Sequence, residues 1–279
     1  MRDRPRLQTI FRLHHPDIIF HAAAHKHVPL MELNVEEAIT NNVLGTLNIV
    51  ETALENDIPE LVMISSDKAI RPANVMGATK RLAEMIVLDA ARKSSKRFCV
   101  VRFGNVLGSR GSVVPIFKQQ IARGGPITIT HPDMQRYFMT IPEAVHLVLQ
   151  AVGLGKGNEK FLLNMGSQVK IVDLANDLIR LSGLEPGKDI EITFTGIRPG
   201  EKLREDLWDE GHDYKPTRHP EIFQDDSEEC LSGDELQAAI RTLLDFAVSG
   251  DVQAILSYLD EIIPGASVTT AIPTEIFTY

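Results

Sequence analysis

A chain of 279 residues, 43% hydrophobic and 24% charged, is long enough to bury a core as one large domain or as a domain with a smaller lobe. A formal charge of −9 and a pI near 5.5 exclude a general nucleic-acid-binding surface, which needs clustered Lys and Arg without an acidic majority. Two cysteines, Cys99 and Cys230, make no disulfide framework or zinc site, no apolar run approaches the roughly 20 residues that cross a bilayer, and the first residues hold no signal-peptide core, so a soluble, cytoplasmic chain is expected.

In chain order, "DIIFHAAA" (17–24) reads as a strand. A helix follows from Asn34 to Leu54, with Val35, Ala38, Ile39, Ile49, Val50 and Ala53 on one side and with Asn34 and Glu37 spaced as a capping box. "ELVMISS" (60–66) is apolar almost without alternation, as a strand covered on both faces should be. Then come a helix from about Met76 to Ser94, a strand "RFCVVRFGN" (97–105), a helix "VPIFKQQIARG" (114–124) and a strand "PITIT" (126–130). A helix from about Ile141 to Val152, a strand "KFLLNMG" (160–166) and a helix "KIVDLANDLIRLSGL" (170–184) complete the alternation, which predicts an α/β fold with parallel strands.

The second strand ends in Ser66, Asp67 and Lys68, at the edge where open α/β sheets place their ligands, although Ser and Asp also commonly just end a strand. Met76 and Lys80, four apart, share a face of the next helix, where a methionine is more often core filler. His21, His25 and His27 invite a metal reading, but no further ligand pattern follows and no metal is expected. No G-x-G-x-x-G opens a helix after a strand in the first hundred residues, and "GLGKGNEK" (153–160) precedes a strand and reads as a turn.

From about Asp17 to Trp208 the stretches "FHAAAHKHVPLME", "NNVLGTLN", "SSDKAIRPANVMGATKR", "VRFGNVLGSRGSVVPIF", "QRYFMTIPEAV" and "RPGEKLREDL" occur in order. Together they resemble the extended short-chain dehydrogenase/reductase enzymes that act on nucleotide sugars, in particular the polysaccharide-biosynthesis nucleotide-sugar 4,6-dehydratases. Met76 stands where short-chain dehydrogenases usually carry a tyrosine, which resembles the branch acting on UDP-N-acetylglucosamine, whose full-length members often carry an N-terminal membrane region. The resemblance implies a partial Rossmann-like doubly wound parallel sheet lacking its first strands, with a smaller α/β substrate-binding lobe. Residues 1–160 would form the partial NAD-binding domain, 161–225 with contributions from 105–140 the substrate lobe, and 226–279 a C-terminal helical segment. In a sheet of order 3-2-1-4-5-6 the strand at 17–24 would then lie at an edge. Such a chain is expected to bind NAD⁺ poorly by itself, to show little dehydratase turnover without added cofactor, and to self-associate through that edge.

The implied reaction moves hydride from sugar C4 to NAD, rather than NADP, eliminates water across C5 and C6, and returns the hydride to C6. Ser66 would hydrogen-bond the C4 oxygen, Asp67 would be the acid for the leaving hydroxyl and first candidate for the C4 hydroxyl proton, and Lys68 would be the base at C5. Lys68 can serve as a base only when neutral, and Lys80 is the expected source of a charge that lowers its pKa. Met76 would face the site without carrying a proton, and Lys80 would hold the nicotinamide ribose. The cofactor would also meet His21, Ala22, Ala23, Ala24, Asn42 and Phe103. A UDP-N-acetylhexosamine would meet His25, Lys26, Asn105, Val113, Arg136 and Arg198, with Glu201 on ribose hydroxyls. A homo-oligomer is implied, with no nucleic acid partner. Two other readings stand beside this one: a non-catalytic remnant that binds UDP-sugar or a partner, and a 4-epimerase, whose chemistry leans on the tyrosine replaced here.

Overall fold

A computed structural model of the chain describes residues 1–209, 213–227 and 230–271. It opens with a helix the apolar periodicity did not announce, α1 (Arg4–His14). The local start signal is present: Asp3 accepts a hydrogen bond from the Arg6 amide at 2.9 Å and Pro5 stands in the first turn. Strand β1 (Ile18–His21) follows, then α2 (Val28–Glu32) and α3 (Val35–Ala38). The expected capping box is not formed. Asn34 turns its amide to the Leu30 carbonyl at 2.8 Å, while Glu37 pairs with Arg2 and His25 instead. The expected single helix is interrupted by a π-helical turn (Ile39–Val43) before α4 (Leu44–Glu55). A π turn of this kind re-aims the side chains it carries, and here it presents Asn42 inward.

Next come β2 (Glu60–Ile64), a 3-10 turn at Asp67–Ala69, α5 (Val75–Ser94) and β3 (Arg97–Arg102). Short strands β4 (Asn105–Val106), β5 (Ile127–Ile129), β6 (Gln135–Arg136) and β7 (Phe138–Met139) surround α6 (Val113–Ala122). Then follow α7 (Ile141–Leu154), β8 (Lys160–Leu163), β9 (Val169–Lys170), α8 (Ile171–Leu181), β10 (Ile192–Phe194), β11 (Tyr214–Pro216) and β12 (Ile222–Asp225). The hairpin α9 (Gly233–Ser249) and α10 (Val252–Ile262) follows.

The main sheet has the order β1-β2-β3-β8-β12-β11, parallel through its first four strands and antiparallel in the last two. β1 pairs only with β2, so among the described residues it is the sheet edge. Side chains alternate across the sheet with period 2: Leu61, Met63, Phe98 and Val100 enter a core with α3, α4, α5, α9 and α10, while Val62, Cys99 and Val101 enter another with α7. The unbroken apolar runs at β2 and β3 are therefore the signature of two covered faces. A third core, with Phe117, Ile121, Ile127, Met134, Ile171 and Ile179, joins α6 and α8 to the β5-β10 pair. In register, His21 lies opposite Met63 and Ile64 opposite Val101, so β1, β2 and β3 end together. The loops that leave those ends face the third core across a cleft.

Candidate active site

The cleft is about 480 Å³ in volume, and its walls come from the three strand ends, α5, the loop into α6, β5, and the 198–201 loop. The Ser66–Lys68 triplet is held by backbone pairing that runs on past the strands: the Ser65 amide donates to Val101 O at 2.8 Å and the Asp67 amide to Phe103 O at 3.1 Å. The Ser66 hydroxyl and the Lys68 ammonium both donate to one oxygen of Asp67, Oδ1, at 2.8 and 3.0 Å. The other oxygen, Oδ2, is buried without a hydrogen-bond partner. Ser66 and Lys68 line the cleft, whereas Asp67 is enclosed behind them. A proton bound for Asp67 therefore travels through one of its two neighbours.

Lys68 differs from its expected state. Burial works to lower its pKa, but Asp67 and then Glu205 outweigh burial and an opposing Arg136, so the net shift is upward. Lys80 does not supply the depressing charge. Its Nζ donates to the Ile64 carbonyl at 2.6 Å, and burial lowers its own pKa to about 8 against the pull of Glu84. Lys80 and Met76 both line the cleft, so the i, i+4 spacing does put them on the facing side of α5.

The start of α5 depends on a close approach that the sequence reading missed. A Cβ on Gly77 would lie inside the contact distance of the Lys68 carbonyl oxygen, so only glycine lets the first turn of α5 pack on the triplet. Asn74 caps that turn, accepting from the Gly77 amide at 2.7 Å and donating to Gly200 O at 2.9 Å, while buried Glu32 accepts from the Val75 amide at 2.7 Å. Gly77→Ala is expected to cost about 2 kcal/mol of stability and to displace Lys68. Chemical denaturation reads the first effect, and a loss of turnover larger than the loss of folded protein reads the second.

Of the residues expected near a cofactor, Ala22, Ala24, Phe103 and Lys80 line the cleft; Ala23, His21 and Asn42 do not. His21 is buried. The Thr46 hydroxyl spends its proton on the Asn42 carbonyl at 2.6 Å, so His21 Nε2 is the donor to Thr46 at 2.9 Å. Burial, helped by Lys80 and the N-terminal ammonium, lowers the His21 pKa to about 3, and the ring is neutral. Asn42 braces the loop after β1, accepting from the His25 amide at 2.8 Å and donating to His25 O at 3.1 Å and to Thr79 at 3.0 Å. Its contact is with the backbone beside Ala24.

Of the expected substrate residues, Lys26, Asn105, Val113, Arg136, Arg198 and Glu201 line the cleft. His25 does not; its ring reaches Glu37 at 3.1 Å. Arg198 and Glu201 are paired with each other at 2.8 Å. Arg136 donates to the Gln135 and Leu203 carbonyls at 2.6 and 3.2 Å, with its Nε 3.9 Å from Glu205. Two further groups were missed. Ser112, at the N-cap of α6 on the cleft wall, keeps a buried hydroxyl without a partner. Glu205, from "KLREDL", lies 3.5 Å from Lys68 Nζ. No periodicity or motif spacing marks either one; a carboxylate 137 positions away in sequence from the lysine it meets is visible only after folding.

A cleft bounded by strand ends with a buried Ser–Asp–Lys relay is suited to moving protons on a polar substrate. The chain is 55% identical over 222 residues to the probable polysaccharide biosynthesis protein EpsC of Bacillus subtilis, a match that covers 80% of this chain and 37% of that relative. It is 41% identical over 198 residues to a UDP-glucose 4-epimerase of Rickettsia canadensis, covering 70% of this chain and 57% of that one. Among solved structures it resembles Pen from Bacillus thuringiensis, with a TM-score of 0.73, 35% identity, and coverage of 83% of this chain and 71% of that chain. It shares the fold of DesIV, a dTDP-glucose 4,6-dehydratase from Streptomyces venezuelae solved with NAD, at a TM-score of 0.65 and 19% identity, over 75% of this chain and 69% of that one. The family model described as "Polysaccharide biosynthesis protein" matches residues 1–227, and the chain belongs to that family.

Proposed function

We propose that the chain carries the catalytic part of an NAD-dependent nucleotide-sugar 4,6-dehydratase acting on UDP-N-acetylglucosamine. The observation that carries the reading is the cleft-facing pair Met76 and Lys80 beside the Ser66–Asp67–Lys68 relay, a site rich in proton carriers everywhere except at the tyrosine position. Ala22, Ala24, Phe103 and Lys80 fit the nicotinamide ribose: the alanines leave room, and Ile64 O is the only acceptor of Lys80 among the described residues. Bound NAD⁺ supplies a hydride acceptor that gives the hydride back. Ser66 takes the C4 hydroxyl proton while passing its own to Asp67 Oδ1, and the same relay run backwards delivers that proton to the C6 hydroxyl as it leaves. Lys68, on the cleft wall, is the base at C5, whose hydrogen the C4 ketone acidifies. Asn105, Arg136 and the Ser112–Val113 start of α6 suit the diphosphate, since a helix N-terminus and a planar guanidinium both favour an anion.

Incubation with UDP-N-acetylglucosamine and an excess of NAD⁺, to offset the weak cofactor binding expected of this chain, in deuterated water tests the proposal. A 4-keto-6-deoxy product, lighter by one water and deuterated at C5, is expected. An isomeric UDP-sugar without solvent deuterium would instead establish the epimerase reading, which the 41% identical relative favours. Met76 enters only as cleft wall, so Met76→Leu, close in volume, is expected to keep turnover within about tenfold. A loss beyond about a thousandfold, roughly 4 kcal/mol of barrier, would show that the thioether has a role of its own.

A further inference from the structure

The proposed reaction sets a proton count that Asp67 alone cannot meet. Oxidation at C4 releases one proton, which the Ser66 relay stores on Asp67. Lys68 enters the reaction as an ammonium and must lose a second proton before it can take the one on C5. One carboxylate stores one proton, so a second acceptor must touch Lys68.

We propose that Glu205 is that acceptor, holding the Lys68 proton while Asp67 holds the one from the sugar hydroxyl. Its Oε1 lies 3.5 Å from Lys68 Nζ, against 3.0 Å for Asp67 Oδ1, and among the described residues these are the two carboxylates paired with that lysine. The Glu205 side chain is 2% exposed and its Oε2 has no hydrogen-bond partner, so water does not compete for the proton. Its nearest cations are Lys68 and Arg136 Nε, the latter at 3.9 Å. It is absent from the cleft wall, and so acts through Lys68 and not on substrate. Side chains hold its backbone in place: Gln168 Nε2 donates to Glu205 O at 2.6 Å, and Arg136 donates to the nearby Leu203 carbonyl at 3.2 Å.

The steps balance. A Lys68 N–H bond breaks and a Glu205 O–H bond forms; the freed lone pair on Nζ then takes the C5 proton. The proton on Asp67 leaves with the C6 hydroxyl as water. When the hydride returns to C6, Lys68 gives its proton back to C5, and Glu205 then reprotonates Lys68. The protein ends as it began, with Asp67 and Glu205 ionised and Lys68 charged.

This rests on the dehydratase reading, and the test separates the two. Glu205→Gln keeps the shape but cannot accept a proton. In that variant, NAD⁺ reduction on adding UDP-N-acetylglucosamine is expected to persist, while exchange of the C5 hydrogen with deuterated solvent falls on the order of 100-fold. Glu205→Asp, with the carboxylate kept, is expected to recover part of the exchange. Exchange at the wild-type rate in Glu205→Gln would overturn the assignment. Absence of NAD⁺ reduction in the wild-type protein at NAD⁺ concentrations shown to saturate it would overturn the dehydratase reading instead, and an activity-free measurement then decides the role of Glu205. In ¹⁵N-lysine-labelled protein the Lys68 ammonium faces Asp67, Glu205 and Arg136. Loss of the Glu205 charge is expected to move its titration to lower pH, less so in Glu205→Asp, and an unmoved titration in both variants would refute the coupling. If Glu205→Gln does not fold, the aspartate variant carries both readouts.

Discussion

Replacing Lys68 by methionine is expected to lower turnover of UDP-N-acetylglucosamine by about a thousandfold and to abolish solvent exchange at C5, while affinity for the UDP-sugar stays within a few-fold. Methionine keeps most of the volume and removes the ammonium that lines the cleft beside Ser66. The diphosphate is proposed to be held elsewhere, by Asn105, Arg136 and the start of α6, so binding and chemistry should separate. A loss of this size corresponds to about 4 kcal/mol of barrier, within the range of a general base. The substitution also leaves the Asp67 and Glu205 carboxylates buried without their shared cation, so a fall in melting temperature is expected beside the kinetic loss. Isothermal titration with the UDP-sugar and a deuterium-exchange assay read the two effects apart. Normal turnover in folded Lys68→Met would remove Lys68 from the mechanism.

Glu84→Ala is expected to be the most damaging substitution for stability, at about 3–5 kcal/mol. Glu84 is fully buried on α5 and receives Arg102 through two hydrogen bonds, Nε to Oε1 at 2.8 Å and Nη2 to Oε2 at 2.6 Å, with the Ser65 hydroxyl on Oε1 at 2.5 Å. Removing it strips a buried guanidinium of two short charge-assisted hydrogen bonds, and Asp225, 3.4 Å away, already accepts Lys160 at 3.0 Å. The pH dependence has a defined sign. Burial by itself would raise the Glu84 pKa, but the charge and hydrogen bonds of Arg102, then Arg81 and Lys160, bring it down from 4.5 to about 2. A carboxylate depressed on folding contributes stability that is present above its unfolded pKa and lost as pH falls through the folded one. The wild-type advantage over Glu84→Ala should therefore be complete above about pH 5 and shrink between pH 4.5 and about 2. The shift corresponds to about 3 kcal/mol. Urea denaturation of both proteins across that range checks it; a difference independent of pH would mean that the cost is one of packing and not of charge. The same cluster reaches the candidate active site, because Ser65 lines the cleft and Glu84 acts on Lys80 one turn away.

The α/β character and the parallel strands ending at one edge were legible in the residues, because apolar runs and helical periodicity are local properties of the chain. The Ser66–Asp67–Lys68 triplet and the Met76–Lys80 pair were legible for the same reason: contiguity at a strand end and i, i+4 spacing on a helix fix which side chains are neighbours before any packing occurs. The helix α1 carried a readable cap at Asp3 and Pro5, but its apolar content is too low for periodicity to find it. The π turn at Ile39–Val43 was not legible, since it answers the tertiary need to seat Asn42 against His25 and Thr79.

What folding alone decided is the state of each ionisable group. Proximity in sequence put Asp67 beside Lys68, but Glu205, brought from 137 residues away, adds to the upward shift of Lys68, and the expected influence of Lys80 failed because its ammonium is drawn to the Ile64 carbonyl. His21 follows the same logic, neutral because burial and the charges of Lys80 and the N-terminal ammonium make it so and not because of anything beside it in the chain. Charge interactions fall off with distance and grow with burial, and both quantities are set by the packing of distant segments. The sequence by itself therefore determined where the chemistry sits and which residue types are there; only the tertiary structure decided which of them hold protons, which face the cleft, and which stand behind it.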